Sequence, residues 1–204
     1  MTVENQYRFH YNCFRKSPDS KKGLRMESSN LKCLISREEI DSAVKRLAAD
    51  IRQDFHDKNP LVIGVLKGSF VFLADLVRAL EFPHEVEFVR LSSYGPGRTT
   101  AGQLTMIHDL HVSIEGRHVL VVEDIVDTGN SIAFLMQYLS EKNPASLKLC
   151  ALTDKPSRRQ IDVTINYRGF IVPDLFLVGY GLDFDEKYRY LPDICTLQEV
   201  GGEE

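Results

Sequence analysis

The chain has 204 residues, of which 43% are hydrophobic, and its formal net charge is −4 with a pI near 5.9. This length and apolar fraction predict one globular domain, and the acidic balance argues against general binding to nucleic acid or to membrane surfaces. Apolar runs shorter than a membrane span and four scattered cysteines without a Cys-x-x-Cys pair favour a cytosolic protein with free thiols.

The N-terminal 30 residues are predicted to form a mobile extension, because residues 15–23 are basic, polar and broken by proline and glycine. Residues 31–200 are predicted to form the single domain. Ser36 and Glu39 have the spacing of a capping box, and the apolar periodicity that follows predicts a helix ending near Phe55. A buried strand is expected over residues 61–66, and a second helix over residues 70–80.

The rest of the chain continues the alternation of strands and helices. An alternating strand is predicted over residues 86–91, a long flexible loop over 94–102 and a returning antiparallel strand over 104–107. Further strands are expected at 147–152, 163–165 and 175–180. This order predicts an α/β fold, with a parallel doubly wound sheet that carries helices on both faces.

Residues 119–131 hold the strongest functional signal in the sequence. An apolar β-branched run is followed by Glu123, Asp124 and Asp127, and then by a Thr-Gly-Asn-Ser turn that opens a helical pattern. One acid after a strand usually caps a helix. Three acids beside a helix N-terminus, whose free N–H groups bind anions, instead indicate a ligand with both hydroxyls and a phosphate, such as a sugar phosphate.

A second turn of the same kind follows the strand at 61–66. Lys67, Gly68 and Ser69 lie between that strand and the next helix, where a lysine and free amides suit a second anion. Taken alone, this turn is more often a solvated surface turn. Five segments in order between Leu66 and Arg189, including this turn and the acidic stretch, together resemble the hypoxanthine-guanine phosphoribosyltransferase family of type I phosphoribosyltransferases.

The resemblance implies a fold and an activity. The fold would add a small hood made from the chain ends, and a flexible lid loop, to the parallel sheet. The activity would be purine salvage: transfer of 5-phosphoribosyl from phosphoribosyl diphosphate (PRPP) to hypoxanthine or guanine, with Mg²⁺ as cofactor. A homodimer or homotetramer is expected on the same ground, with no nucleic-acid or membrane partner.

The resemblance also assigns residues to the substrates. PRPP would contact Glu123, Asp124, Asp127, Thr128, Gly129, Asn130 and Ser131, although some members of the family carry lysine where this chain has Asn130. Pyrophosphate would contact Lys67, Gly68, Ser93, Tyr94 and Arg189, and the Leu66–Lys67 bond can be cis in the family. The purine would contact Lys155, Phe176, Leu177 and Asp183, and the metal ion would be held by Glu123, Asp124 and Asp183.

Two of these side chains would decide chemistry and specificity. Asp127 is expected to be the catalytic general base at purine N7, because an acid at the helix mouth would lie nearest the base when ribose fills the turn. Lys155 would donate a hydrogen bond to O6 of a 6-oxopurine. It would reject adenine, whose 6-amino group also donates.

Two alternatives remain open at this point. A PRPP-sensing regulator would keep the PRPP turn without catalysis, but the acidic balance and the lack of a helix-turn-helix segment count against it. A sister transferase for adenine, uracil or orotate would keep the chemistry and change the base. Lys155 and Phe176 at the expected positions argue against that alternative.

Overall fold

The computed structural model describes residues 31–92 and 104–197, and this part of the chain holds nine strands and three α-helices. The strands are β1 (Leu31–Ile35), β2 (Leu61–Leu66), β3 (Glu85–Ser92), β4 (Thr105–His108), β5 (His118–Val126), β6 (Ser146–Asp154), β7 (Tyr167–Ile171), β8 (Leu177–Val178) and β9 (Ile194–Leu197). The helices are α1 (Arg37–Phe55), α2 (Phe70–Leu80) and α3 (Asn130–Ser140). None of these helices is long and apolar enough to cross a membrane.

Six strands form the central sheet in the order β4-β3-β2-β5-β6-β7. All neighbours in it are parallel except β4, which runs antiparallel to β3 as predicted. Alternate residues of the inner strands face opposite sides of the sheet. Val62, Leu120 and Cys150 pack with the apolar sides of α1 and α2, whereas Ile63, Val121 and Leu149 pack with α3. The predicted doubly wound α/β sheet with helices on both faces is therefore confirmed.

The capping box predicted for α1 is present. The Glu39 backbone N–H donates to Ser36 Oγ at 3.3 Å, and the Ser36 N–H donates to Glu39 Oε2 at 2.8 Å. These two bonds satisfy donors that the first turn of a helix would otherwise leave free. Buried residues from Ile40 to Phe55 then line one side of the helix, so the predicted start and end of α1 are both correct.

A smaller sheet brings the two ends of the described chain together in the order β1-β9-β8. Leu31 faces Leu197 and Cys33 faces Cys195 in antiparallel β1 and β9, while Leu177 of β8 faces Thr196. This sheet is the hood expected from the resemblance. The predicted strand at 175–180 shortens to the two residues of β8, because the chain turns through glycines with positive φ at 179 and 181.

One predicted strand is wrong. Residues 163–165 are not in a strand, and β7 begins at Tyr167 instead. Val163 and Ile165 are apolar because they pack against the core on the α3 side, and the edge of the sheet is taken by the segment in register with β6, where Tyr167 faces Cys150. The predicted loop at 94–102 lies outside the described residues, as does the predicted extension at 1–30.

The connections of the sheet diverge between β2 and β5. From β2 the chain passes through α2 to β3 on one side, whereas from β5 it passes through α3 to β6 on the other. The carboxyl ends of β2 and β5 are therefore neighbours with loops that lead apart. In open α/β sheets, ligands bind at such a switch point.

Candidate active site

A cleft of about 790 Å³ opens at the carboxyl edge of the central sheet. Side chains predicted for all three substrate regions line it together: Lys67, Asp127, Lys155, Phe176, Asp183 and Arg189. A smaller hollow of about 270 Å³ adjoins it over the turn between β5 and α3, and is lined by Glu123, Asp124, Thr128, Gly129 and Ser131. The predicted site residues at 93 and 94 lie outside the described part of the chain.

The acid pair Glu123 and Asp124 lies inside β5 and not after it, because the strand continues to Val126. Both residues are buried, each with 7% exposure. Burial raises the pKa of Glu123, and the neighbouring Asp124 carboxylate raises it further. The Asp124 carboxylate is oriented by the Ile125 N–H, which donates to Oδ1 at 2.9 Å.

The turn after β2 packs directly on this acid pair. A Cβ atom at Gly68 would lie 1.7 Å from Asp124 Oδ2, so only glycine fits there. The Leu66–Lys67 peptide bond is cis, as the resemblance implied. Gly181, with φ of +99°, lies on the other side of the turn, and a Cβ there would be 2.2 Å from the Gly68 carbonyl oxygen.

The turn after β5 leads directly into α3. Gly129 is its N-cap with φ of +87°, and a Cβ at this position would lie 2.3 Å from the Ile161 carbonyl oxygen. Asn130 is the first residue of the helix, and its side-chain amide donates to Gln160 Oε1 at 3.0 Å. The N-cap Gly129 has no side chain, and the Asn130 N–H donates to Thr128 Oγ1 at 3.4 Å, so the N–H groups that follow Asn130 are the ones available to an anion.

Asp127 begins this turn at the junction of the cleft and the smaller hollow. Its Oδ1 atom is buried and accepts no hydrogen bond of good geometry, although Arg158 Nε lies 3.2 Å away in an ion pair. The Arg158 guanidinium also approaches Asp174 Oδ1 at 3.5 Å. Arg158 therefore links the turn after β5 to the loop that precedes β8.

Lys67 and Arg189 share one carboxylate. Lys67 Nζ donates to Glu186 Oε1 at 2.7 Å, and Arg189 Nη2 donates to Glu186 Oε2 at 3.1 Å. Arg189 also pairs with Asp183 Oδ1 at 2.8 Å and donates to the Gly181 carbonyl at 2.7 Å. Lys67 and Arg189 hold the pKa of Glu186 below its ordinary value through these hydrogen bonds. The two predicted pyrophosphate cations thus lie side by side.

Lys155 and Phe176 also line the cleft. Lys155 is only 5% exposed, and its Nζ donates to the Leu175 carbonyl at 2.9 Å. Phe176 is 52% exposed and makes an edge contact with Phe184, at 5.3 Å between ring centroids. Leu177, by contrast, is buried in β8. A buried ammonium beside an exposed aromatic face can bind a flat ring that carries an acceptor oxygen.

The predicted metal ligands do not form a ready-made ion site. Among residues 31–92 and 104–197, no group of three His, Cys, Asp or Glu side chains is placed to hold a metal ion. Both carboxylate oxygens of Asp183 are engaged, one by Arg189 and the other by the Glu186 N–H at 2.9 Å. Any ion bound by Glu123, Asp124 or Asp183 would need further oxygen ligands from a substrate.

Four charged residues of the cleft were absent from the sequence-based assignment: Arg90, Arg158, Asp174 and Glu186. Arg158 follows the predicted Lys155 by three residues, so the spacing along the chain could have indicated it. Glu186 lies in an ordinary charged run, and no sequence pattern connects it to Lys67, which is 119 positions away. Arg159 lies outside the set that lines the cleft, and it pairs with the buried Asp154 and donates to the Val126 carbonyl, which ties the ends of β5 and β6 together.

Comparison with known proteins agrees with this geometry. The phosphoribosyl transferase domain family matches residues 36–185. The chain is 44% identical over 167 residues to a hypoxanthine-guanine phosphoribosyltransferase of Bacillus subtilis, covering 82% of this chain and 93% of that protein. It is 41% identical to the Streptococcus pneumoniae enzyme of the same name, covering 85% and 97%.

Solved structures give the same result. A crystal structure of a hypoxanthine-guanine phosphoribosyltransferase from Bacillus anthracis is similar, with a TM-score of 0.77 and 46% identity, covering 82% of this chain and 98% of that one. A hypoxanthine phosphoribosyltransferase from Staphylococcus aureus gives a TM-score of 0.78 at 38% identity, covering 85% and 97%. The chain therefore belongs to the phosphoribosyl transferase domain family, and within it to the hypoxanthine-guanine phosphoribosyltransferases.

Proposed function

We propose that this purine salvage enzyme transfers the 5-phosphoribosyl group of PRPP to N9 of hypoxanthine or guanine, and releases pyrophosphate. The observation that carries the proposal is the meeting of three recognition elements in one cleft and the hollow that adjoins it. The start of α3 suits the 5′-phosphate, the Lys67 and Arg189 pair suits pyrophosphate, and Lys155 with Phe176 suits a 6-oxopurine. PRPP and an oxopurine carry all of the matching groups.

The turn from Asp127 to Ser131 would hold the 5′-phosphate through its N–H groups and hydroxyls. This arrangement would use the positive end of the α3 dipole and would bring the ribose over the β5 acid pair. Glu123 and Asp124 would then accept hydrogen bonds from the ribose 2′- and 3′-hydroxyls. Because burial raises the pKa of Glu123, hydroxyl donors or a cation at this point would stabilise its ionised form.

Asp127 would accept the proton from purine N7 as the new bond forms at N9. Its buried Oδ1 atom accepts no well-aligned hydrogen bond, so this oxygen has capacity for a proton from a ligand in the cleft. Arg158, 3.2 Å away, would keep the carboxylate in place during the transfer. The ribose carries positive charge in such a step, and the acid pair below it would stabilise that charge.

Lys155 would donate to the O6 atom of the purine, while Phe176 stacks on the ring and the main chain of Leu177 reads its edge. The Lys155 ammonium is fixed by the Leu175 carbonyl at 2.9 Å, and its remaining donors are free to point to a ligand. Adenine presents an amino group at the same position, which would leave two donors facing each other. This mismatch is the basis of the proposed oxopurine preference.

We propose Mg²⁺ as the divalent ion, held by Glu123, Asp124 and Asp183 together with oxygens of PRPP. Carboxylate oxygens are the hard ligands that Mg²⁺ prefers, and the lack of three clustered ligands in the described residues fits an ion that arrives with its substrate. When bound, the ion would neutralise charge on the departing pyrophosphate. Titration calorimetry should therefore detect Mg²⁺ binding only when PRPP is present. Tight binding to the free protein would contradict this.

The test of the proposed reaction is nucleotide formation from PRPP with hypoxanthine, guanine, xanthine, adenine and uracil. We expect products from hypoxanthine and guanine, none from uracil, and adenine to be a far poorer substrate. Efficient transfer to adenine or uracil would favour a sister transferase. PRPP binding without transfer to any base would favour a regulator.

Three broader expectations accompany this function. We propose that residues 31–200 fold as one domain, that the enzyme is cytosolic and that it forms a homodimer or homotetramer without nucleic-acid or membrane partners. Cys33, Cys150 and Cys195 are free thiols, as expected for a reducing compartment. A sedimentation mass of a single chain at micromolar concentration would contradict the oligomer.

A further inference from the structure

Lys67 and Arg189, the two cations assigned to pyrophosphate, already form ion pairs with a carboxylate of the protein itself. Glu186 contacts Lys67 at 2.7 Å through one oxygen and Arg189 at 3.1 Å through the other. The Glu186 side chain is 64% exposed and Lys67 is 44% exposed, so neither is locked in place by packing. Arg189, at 18% exposure, is the fixed member of the group.

This arrangement balances the charge of the cleft before any ligand arrives. Lys67 and Arg189 carry two positive charges, and Glu186 and Asp183 carry two negative charges within ion-pair distance. Asp183 is held by the Glu186 backbone N–H in addition to Arg189, whereas the Glu186 carboxylate contacts only Lys67 and Arg189 among the residues that the structure describes. Of these two carboxylates, that of Glu186 is therefore the one that a ligand can displace from the cations more easily.

We propose that Glu186 is an intramolecular competitor of pyrophosphate. Its carboxylate holds Lys67 and Arg189 in position in the empty cleft, gives up both cations when PRPP binds, and reclaims them when pyrophosphate leaves. Glu186 is thus a positioning residue that weakens pyrophosphate binding and favours product release. This inference rests on the proposed function, which assigns Lys67 and Arg189 to pyrophosphate.

The size of the effect follows from the exposure of the pairs. Half-exposed ion pairs each shift an equilibrium by up to about fivefold, because solvent screens them. Removing both competing contacts should tighten pyrophosphate binding about 3- to 10-fold. The Glu186 carboxylate contacts Lys67 and Arg189, which are assigned to pyrophosphate and not to the purine. The Michaelis constant for hypoxanthine should therefore change less than about twofold.

The test compares Glu186→Gln with the wild-type enzyme and with the control Glu81→Gln. Glutamine keeps the shape and removes the charge. Glu81 makes a similar exposed ion pair with Arg52 at 2.7 Å, where the end of α2 meets α1. The measurements are the inhibition constant of pyrophosphate and the Michaelis constants for PRPP and hypoxanthine. In Glu186→Gln, the inhibition constant of pyrophosphate and the Michaelis constant for PRPP should both fall. In Glu81→Gln, these two constants and the Michaelis constant for hypoxanthine should stay unchanged.

A purely structural role for Glu186 gives the opposite sign. If Glu186 only positioned the cations, its replacement would raise the pyrophosphate and PRPP constants, and that result would overturn the proposal. An unchanged inhibition constant would overturn it as well. Failure of the proposed function is separable, because a wild-type enzyme that forms no nucleotide from PRPP and is not inhibited by pyrophosphate would show it without any variant.

Discussion

Replacing Gly68 with alanine would place a methyl group against the Asp124 carboxylate. The three atoms nearest to the added Cβ all belong to that carboxylate, at 1.7, 2.5 and 3.0 Å. Gly68 does not have a positive φ, so the substitution causes a collision without backbone strain. The Asp124 oxygen must retreat by about 1.5 Å to reach ordinary non-bonded contact.

The cost of this retreat can be estimated from two contributions. Moving the carboxylate from its preferred rotamer costs about 0.5–1.5 kcal/mol, and losing its hydrogen bond from Ile125 costs a similar amount. PRPP would have to drive the carboxylate back against the methyl group, so the cost should appear in PRPP binding. We expect Gly68→Ala to raise the Michaelis constant for PRPP about 5- to 150-fold.

A double-mutant cycle with Asp124→Ala tests this reasoning. In the Asp124→Ala background the colliding atoms are absent, so adding Gly68→Ala should change the PRPP constant very little. Steady-state kinetics with varied PRPP at saturating hypoxanthine gives the four constants, and circular dichroism checks that each variant is folded. Equal effects of Gly68→Ala in both backgrounds would refute the collision as the cause.

Three further predictions concern the proposed general base, the proposed purine contact and a buried hydrogen bond of the core. Asp127→Asn should lower turnover about 10²- to 10⁴-fold with PRPP binding retained, because an amide cannot accept the N7 proton; unchanged turnover in steady-state assays would remove Asp127 from the mechanism. Lys155→Ala should raise the hypoxanthine Michaelis constant roughly 10- to 150-fold and reduce the discrimination against adenine, whereas equal losses on both bases would mean that the oxopurine is read elsewhere. Tyr180→Phe should lower the free energy of unfolding in urea by about 1 kcal/mol, since the buried Tyr180 hydroxyl donates to the partly exposed Asp75 at 2.5 Å, and a midpoint equal to wild type would show that this bond does not contribute.

The parts of the molecule that could be predicted from the sequence have strong local signals. The capping box at Ser36 predicts where α1 begins, and the change from a β-branched run to small residues predicts the turn between β5 and α3. These features depend on residues within one or two turns of each other. The sequence alone therefore predicts that the two turns lie at the same edge of the sheet.

The parts that the sequence did not indicate depend on distant partners. β1 and β9 acquire their extended conformation by pairing with each other across about 160 positions, and β1 has no clear alternation of buried and exposed residues. Residues 167–171 form β7 because they are the ones that pair in register with β6, and residues 163–165 do not. The contact of Glu186 with Lys67 likewise joins two segments through the fold alone.

The pairing of the chain ends has a practical consequence for anyone who expresses this enzyme. The Leu197 N–H donates to the Phe176 carbonyl at 3.2 Å, and β9 lies between β1 and the strand that begins at Leu177. The proposed purine-stacking segment is therefore held in place by residues near both ends of the described part of the chain. We therefore expect an affinity tag fused close to Leu197, or a deletion that begins there, to change the affinity for the base although no terminal residue needs to touch it.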